Sequence, residues 1–368
     1  SRRRHTRYWR DWSSDVCSSD LKALVKTQAG PGNLELRDLP DPTPGPGEVV
    51  FRVGATGICG TDLHIQDDEY VVVPPVTIGH ETAGTIVAIG AGVTGLSPGD
   101  RVTAQTTIST CGSCSFCASR LLNLCPQRRW LGGHVDGGFA GYVKVPVANI
   151  LLLPPTVTIE AGALTEPLAC CVHGIMEVIG MSREGWHPPF TVVSGPGPIG
   201  LLCAQVARAA GSAVIILGTG GDASRFALAR HLGFRDLIDV TRENVTDVIR
   251  ERTGGLGVDV AIEAAGAASS LNGCLELVNR RGTVLQIGLY GREAPVSVDV
   301  LVLKEITLRG SFSSTPSSWL TAIGLMGSGQ VDTLPLVTQV RPLDDWSAAF
   351  DAARAKGEGK IVLTPVGG

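Results

Sequence analysis

The chain has 368 residues, 43% hydrophobic and 18% charged, with 31 basic against 35 acidic side chains and a formal charge of −4. This composition is globular rather than disordered or fibrous, and the length suits two domains that each bury a core. Mild acidity, with no basic face carrying interleaved aromatics, excludes a nucleic-acid partner, and no apolar run approaches the roughly 18 residues that cross a membrane.

Residues 1–20 read SRRRHTRYWRDWSSDVCSSD, with five Arg, two Trp and almost no aliphatic side chain. They lack the apolar core of a secretory signal, and their Asp residues do not suit an organelle transit peptide. The expectation is translated sequencing-adapter read-through, with a basic arm as the alternative. The segment is set aside together with Cys17, and a cytoplasmic location is expected for the rest.

Residues 21–167 are rich in Val, Gly and Pro. Short apolar runs at Glu48–Val53, Gly84–Ile89 and Gly141–Val145 alternate with turn signals such as Pro44-Gly45 and Pro98-Gly99-Asp100, which predicts a β-rich, barrel-like domain. Over 168–313 the texture changes to alternating strands and helices. Strands are expected at Thr191–Val193, Val214–Leu217, Leu237–Val240, Val258–Ile262 and Thr283–Ile287, with helices ending at Ala210 and spanning Ala223–His231. That alternation predicts βαβ units and a parallel sheet. The tail, 314–368, predicts a helix over Asp345–Ala355 and a strand over Lys360–Leu363.

Nine cysteines follow residue 20, an odd number that suits metal ligands or free thiols better than a disulfide framework. Four of them, Cys111, Cys114, Cys117 and Cys125, fall in a lobe of about 108–128. Thiolates at this spacing bind zinc tetrahedrally, and Gly112, Ser113 and Ser115 let the loop curl around the ion. Seven residues separate Cys117 from Cys125, against three at the corresponding step of a ferredoxin run, so structural zinc is expected over an iron–sulfur cluster.

The segment Ser194-Gly195-Pro196-Gly197-Pro198-Ile199-Gly200 follows an apolar strand and opens an Ala-rich helix. In that setting the glycines allow a tight turn and close approach of a pyrophosphate to a helix N-terminus, the dinucleotide fingerprint. The acid that holds the ribose 2′-hydroxyl is expected about 20 residues on. Leu217-Gly218-Thr219-Gly220-Gly221 stands there instead, and Asp222 comes only after the glycines. Nothing there repels a 2′-phosphate and Arg225 is available to attract one, so NAD and NADP both fit. A further set, Cys59, His80, Glu81 and Glu166, has the ligand types of a catalytic zinc, but its spacing alone establishes nothing. Thr61 and His64 lie two and five residues past that cysteine, where a hydroxyl and an imidazole can pass on a proton.

Taken in order, these motifs resemble the zinc-containing medium-chain dehydrogenase/reductase family. The likeness runs from Lys22 to about Pro365 and rests on Gly57–His64, Gly79-His80-Glu81, the four-cysteine lobe, Thr165-Glu166-Pro167-Leu168-Ala169 and Gly195–Gly200. The branch it is most similar to is the polyol (sorbitol, L-iditol) dehydrogenases, with threonine 3-dehydrogenases next. The resemblance implies an α/β fold: a discontinuous GroES-like catalytic domain (21–167 and 314–368) and a Rossmann, doubly wound domain (168–313). It implies two zinc ions per chain, the catalytic one held by Cys59, His80 and Glu81, with Glu166 a direct ligand or acting through water. Thr61 and His64 would carry the proton of a bound alcohol to solvent, and hydride would pass to NAD or NADP. Ile199, Arg225, Gly288, Leu289, Phe312 and Lys360 are implied as cofactor contacts beside Gly195, Gly197, Pro198, Gly200, Gly218 and Thr219. The implied assembly is a homodimer or homotetramer joined at the edge of the Rossmann sheet around Val298–Val302. Sorbitol dehydrogenases carry Arg-Tyr where this chain has Ser313-Ser314, which points away from sorbitol itself. The two other readings are amino-alcohol oxidation of the L-threonine type and a non-catalytic cofactor-binding protein of the same fold.

Overall fold

The computed structural model describes residues 21–181, 189–291, 293–355, 357 and 359–365; the leader with Cys17 lies outside them. Two sheets organise the chain. The first has seven strands, running Ile150–Leu152, Arg101–Ala104, Glu81–Ile89, Glu48–Gly57, Lys360–Thr364 and Val337–Pro342, with Tyr142–Pro146 also paired to Glu48–Gly57. Its central strand alternates as the sequence predicts: Val49, Phe51, Val53 and Ala55 are buried, while Arg52 and Gly54 are exposed. Burying each of the larger side chains contributes about 1.5–3 kcal/mol.

The final strand returns to this sheet, with Val362 opposite Gly57 and Leu363 opposite Thr56. On the other side Gly57 faces Glu81. Side chains two apart share a face of a strand, so this register carries Lys360 toward Cys59 and Glu81. Gly57 adds no side chain where the Glu81 carboxylate sits, and a Cβ at that position would overlap it.

The second sheet is parallel and six-stranded, in the order Leu237–Asp239, Ala213–Gly218, Phe190–Ser194, Val258–Glu263, Val278–Gln286 and Thr307–Gly310. This is the third-second-first-fourth-fifth-sixth order of a dinucleotide-binding sheet. Its inner strands are near-continuous apolar runs, with Val192, Val193, Ile215, Ile216, Val260 and Ile262 all buried, as expected when helices cover both faces. The chain leaves and re-enters the first sheet through the helices Thr165–Val172 and Pro316–Gly327, which pack on each other.

One expectation is corrected. Val298–Lys304 is a helix, not the edge of the sheet; the edge strand is Thr307–Gly310, exposed at every residue. The alternation Val298, Val300, Val302 reads as a strand, yet Asp299 in the first turn and Lys304 in the last match a helix dipole. Val300 and Leu301 pack on the sheet's apolar cluster. No helix among the described residues is long and apolar enough to cross a membrane.

Candidate active site

Three ligand-type residues converge between the sheets. Cys59 caps the helix Gly60–Gln66, and His80 directly precedes the strand beside it, which Glu81 begins. Gly79 makes that start possible: its φ is +92° and an added Cβ would meet the Phe139 backbone at 2.8 Å, so no other residue fits. One donor atom from each of Cys59, His80 and Glu81 lies within 4.8 Å of the others. His80 Nδ1 and Glu81 Oε2 are buried without hydrogen-bond partners. Orphaned buried polar atoms are rare in finished proteins, and here they sit with a thiol in a three-donor set that fits a zinc ion.

Around these atoms the charge is strongly negative. Asp62, fully buried, accepts from the Cys59 amide at 2.9 Å and places its other oxygen 3.7 Å from His80 Nδ1. Burial pushes its carboxyl upward, as it does that of Glu166. Burial opposes a charge on His80, but the Asp62 carboxylate, with Cys59 beside it, more than offsets this and raises its pKa to about 10. The same acidic neighbours would stabilise a metal cation, which His80 would bind in its neutral form. Asp62 was given no role in the sequence reading; nothing marks it there except its place three residues into a helix.

Glu166 is buried in the first turn of Thr165–Val172 and lines the same cavity, with Cys170 Sγ 3.5 Å from its Oε1. It stands outside the three-donor cluster. Thr61 also lines the cavity, and its hydroxyl is 3.6 Å from Cys59 Sγ. His64 is half-exposed on the same helix, with Nδ1 2.6 Å from a Glu69 oxygen. The structure does not join His64 to Thr61.

Lys360 is placed differently from the expectation. It is not at the cofactor cleft: its amine is buried, donates to the Ile58 carbonyl at 3.0 Å and forms an ion pair with Glu81 Oε1. The strand register described above is the cause. Burial opposes its charge, but the Glu81 carboxylate more than offsets this and holds its pKa above the ordinary lysine value.

In the lobe, Cys111, Cys114, Cys117 and Cys125 bring their sulfurs together. Cys111 and Cys117 are 3.8 Å apart, Cys114 and Cys117 3.5 Å, and Cys125 and Cys111 3.6 Å. A tetrahedron of sulfurs at zinc-bond length has edges of about 3.8 Å, so the cluster fits one ion. The Cys111 and Cys114 amides donate to the Cys125 and Cys111 sulfurs, both at 3.4 Å, and the backbone bonds of Ser113 and Cys114 hold the Cys111 thiol below its ordinary value. Cys117→Ser should therefore release about one zinc per chain and lower the unfolding midpoint by about 5–10 °C, as read by metal analysis and thermal unfolding.

At the second sheet, Gly195 has φ +102°, and a Cβ there would meet the Ala265 backbone at 2.8 Å. Gly197 caps the helix Pro198–Ala209, with Pro198 in its first turn and open space beside the glycine. A cavity of about 320 Å³ at this edge is lined by Ser194, Gly195, Pro196, Gly218, Thr219 and Asp222, and suits a dinucleotide on a helix N-terminus. Gly200 packs against Gly195, and Gly288 against Glu263 and Gly266. Ile199, Leu289 and Phe312 line the catalytic cavity. Asp222 is turned inward: Thr219 donates to one oxygen at 2.9 Å and Arg225 to the other at 3.0 Å. Arg225 is thus committed to its own turn. Ser313 lines the catalytic cavity, whereas Ser314 is buried and accepts from Trp319 Nε1 at 2.9 Å.

Comparison with known proteins agrees with this architecture. Residues 45–155 match the alcohol dehydrogenase GroES-like domain and residues 198–328 the zinc-binding dehydrogenase domain. The chain is 40% identical to a sorbitol dehydrogenase of Halalkalibacterium halodurans, over 94% of this chain and 100% of that protein. It is 35% identical to a D-arabitol-phosphate dehydrogenase of Enterococcus avium, over 94% and 98%. A zinc-binding dehydrogenase of Sinorhizobium meliloti with NADP bound superposes with a TM-score of 0.84 at 33% identity, over 94% and 99%. Two domains of the right kinds, a cysteine lobe and a zinc-type donor set facing a dinucleotide cleft thus occur in one chain, which belongs to the zinc-binding alcohol dehydrogenase family and is an NAD(P)-dependent oxidoreductase of alcohols.

Proposed function

We propose that the chain oxidises a secondary hydroxyl of a polyhydroxylated substrate, reversibly, at a zinc ion held by Cys59, His80 and Glu81. The observation that carries this reading is the largely buried three-donor cluster with two orphaned polar atoms, at a cavity also lined by Ile199 of the glycine fingerprint. When bound, zinc supplies Lewis acidity that eases ionisation of an alcohol, and the nicotinamide accepts the hydride. Asp62 faces the His80 imidazole from 3.7 Å and would balance the charge of a cation held there. Glu166 faces the cluster from the opposite helix and orders a water or ligand there. The Thr61 hydroxyl would accept the alcohol proton while releasing its own, and an intervening water or cofactor hydroxyl would carry that proton on to His64 at the rim of the helix and so to solvent. The Cys111–Cys125 lobe holds a second, structural zinc.

The polyol class is favoured by the names of the sorbitol and arabitol-phosphate relatives. NAD and NADP both belong to the reading, because neither Asp222 oxygen is free to select the ribose. A cytoplasmic homodimer or homotetramer completes it. Its contact would be the exposed strand Thr307–Gly310 with Val298, Val302 and Leu303, since open strand edges and apolar patches invite pairing.

The test is nicotinamide reduction by the zinc-loaded chain with NAD and NADP in parallel. The panel is sorbitol, xylitol, L-iditol, galactitol, simple secondary alcohols and L-threonine. Turnover of a polyol is expected. A signal on L-threonine alone would move the protein to amino-alcohol oxidation, and a single zinc per chain without turnover would leave a cofactor-binding protein.

A further inference from the structure

The catalytic cavity contains a charge that the oxidation chemistry does not use. Its lining is acidic at one end, with Glu81 and Glu166. Arg128 lines the same cavity and also the shallower one beside it, among Tyr70, Trp130, His134 and Phe312. Its position is built in. The Arg128 amide donates to the carbonyl of the last lobe cysteine, Cys125, at 3.0 Å, and its guanidinium lies 5.5 Å over the centre of the Phe312 ring.

Its guanidinium has no acid of its own. Nε is buried without a hydrogen-bond partner, and among the described residues Arg128 enters no ion pair. The titratable groups that bear on it are Tyr70, Glu166 and Cys170, none of them within ion-pair distance. Burial lowers its pKa, yet an arginine stays charged at any ordinary pH. A half-buried, unpaired guanidinium is costly unless something pairs with it. Its planar fork of donors matches a carboxylate or phosphate, where a lysine would offer only a point charge. The adjacent His134 lines the shallower cavity beside it, and its Nδ1 is likewise buried without a partner.

We infer that the substrate carries an anionic group, a phosphate or a carboxylate, which Arg128 binds while the reacting hydroxyl lies at Cys59, His80 and Glu81. This deepens the alcohol-oxidation reading and rests on it. Arg128 is a specificity-determining residue: it draws one end of a polyhydroxylated chain outward and so selects which hydroxyl reaches the reacting end.

The experiment uses the full chain, zinc-loaded, with saturating cofactor. It compares kcat/KM for sorbitol, sorbitol 6-phosphate and gluconate in the wild type, Arg128→Gln and Arg128→Lys. The wild type should prefer one anionic substrate over sorbitol by about tenfold or more, chiefly through KM. In Arg128→Gln the ratio of anionic to neutral kcat/KM should fall by about 10- to 100-fold, the span of a charge-assisted hydrogen bond, and Arg128→Lys should recover part of it. Which anion is preferred separates a phosphate from a carboxylate. A wild-type preference for sorbitol, or an unchanged ratio in Arg128→Gln, overturns the inference. So does a loss of NADH affinity in that variant, measured by fluorescence, which would assign Arg128 to the cofactor. Zinc content and unfolding midpoint identify a variant that has failed to fold, and Arg128→Lys then carries the comparison. If none of the three compounds is oxidised, calorimetric titration of inorganic phosphate into the zinc–NAD complex decides. Binding that Arg128→Gln abolishes supports the anion site even where the alcohol reading fails, and no binding sinks it.

Discussion

Replacing Cys59 by Ser should lower kcat/KM by about 1000-fold or more and leave one zinc per chain in place of two, since a Lewis acid contributes several kcal/mol to such a reaction. A serine hydroxyl does not ionise near neutral pH and is a poor zinc ligand, so the three-donor set loses its thiolate. The fold should survive. Cys59 occupies the N-cap of Gly60–Gln66, a position that Ser fills as well as any residue, and the bond from its amide to Asp62 Oδ2 does not involve the side chain. The measurements are metal analysis, far-UV circular dichroism and steady-state kinetics on the same preparation. Two zincs and near wild-type turnover in Cys59→Ser would refute the assignment of this ion to catalysis. Loss of the ion without loss of turnover would give it a structural role only.

How much of this was legible in the sequence depends on how the contacts are made. The cysteine lobe could be read because its ligands lie within one curled loop, where spacing stands in for distance. The glycine fingerprint could be read because the strand before it and the helix after it are local. Cys59, His80 and Glu81 are different: they meet because Gly57 pairs with Glu81 across neighbouring strands, and only the family likeness joined them beforehand. Arg128 escaped because it acts through tertiary contacts with no local signature, Asp62 because its local capping bond carries no sign of the His80 ring it faces, and Lys360 was expected at the cofactor because its partner is remote in the chain. Lys360 lies 279 residues from the carboxylate it pairs with. Arg128, three residues after the last lobe cysteine, reads as ordinary surface charge until Phe312 and the cavity are placed around it. The sheet edge expected around Val298–Val302 falls instead on Thr307–Gly310, because the charges at Asp299 and Lys304 suit the two ends of a helix.

Lys360→Met provides the second large effect, and it separates the observed placement of Lys360 from the cofactor role first expected of it. The substitution removes the cation that faces Glu81, a carboxylate with no exposed surface. Breaking a buried pair from one side costs about 3–5 kcal/mol, because the remaining charge is stranded. Metal-free protein should show that cost in full in denaturant unfolding. Zinc-loaded protein should show less of it, because a bound cation beside Glu81 Oε2 replaces part of the lost charge. The double variant Lys360→Met with Glu81→Gln should recover much of the stability of the metal-free form, since no buried charge is left unpaired. NADH affinity should change little. If stability were untouched in both forms while NADH affinity fell, Lys360 would belong to the cofactor cleft after all. If the cost were the same with and without zinc, the ion would not be sensing Glu81. The predicted pattern, a large loss without metal and a smaller one with it, ties the last strand of the chain to the ligand set of the first sheet.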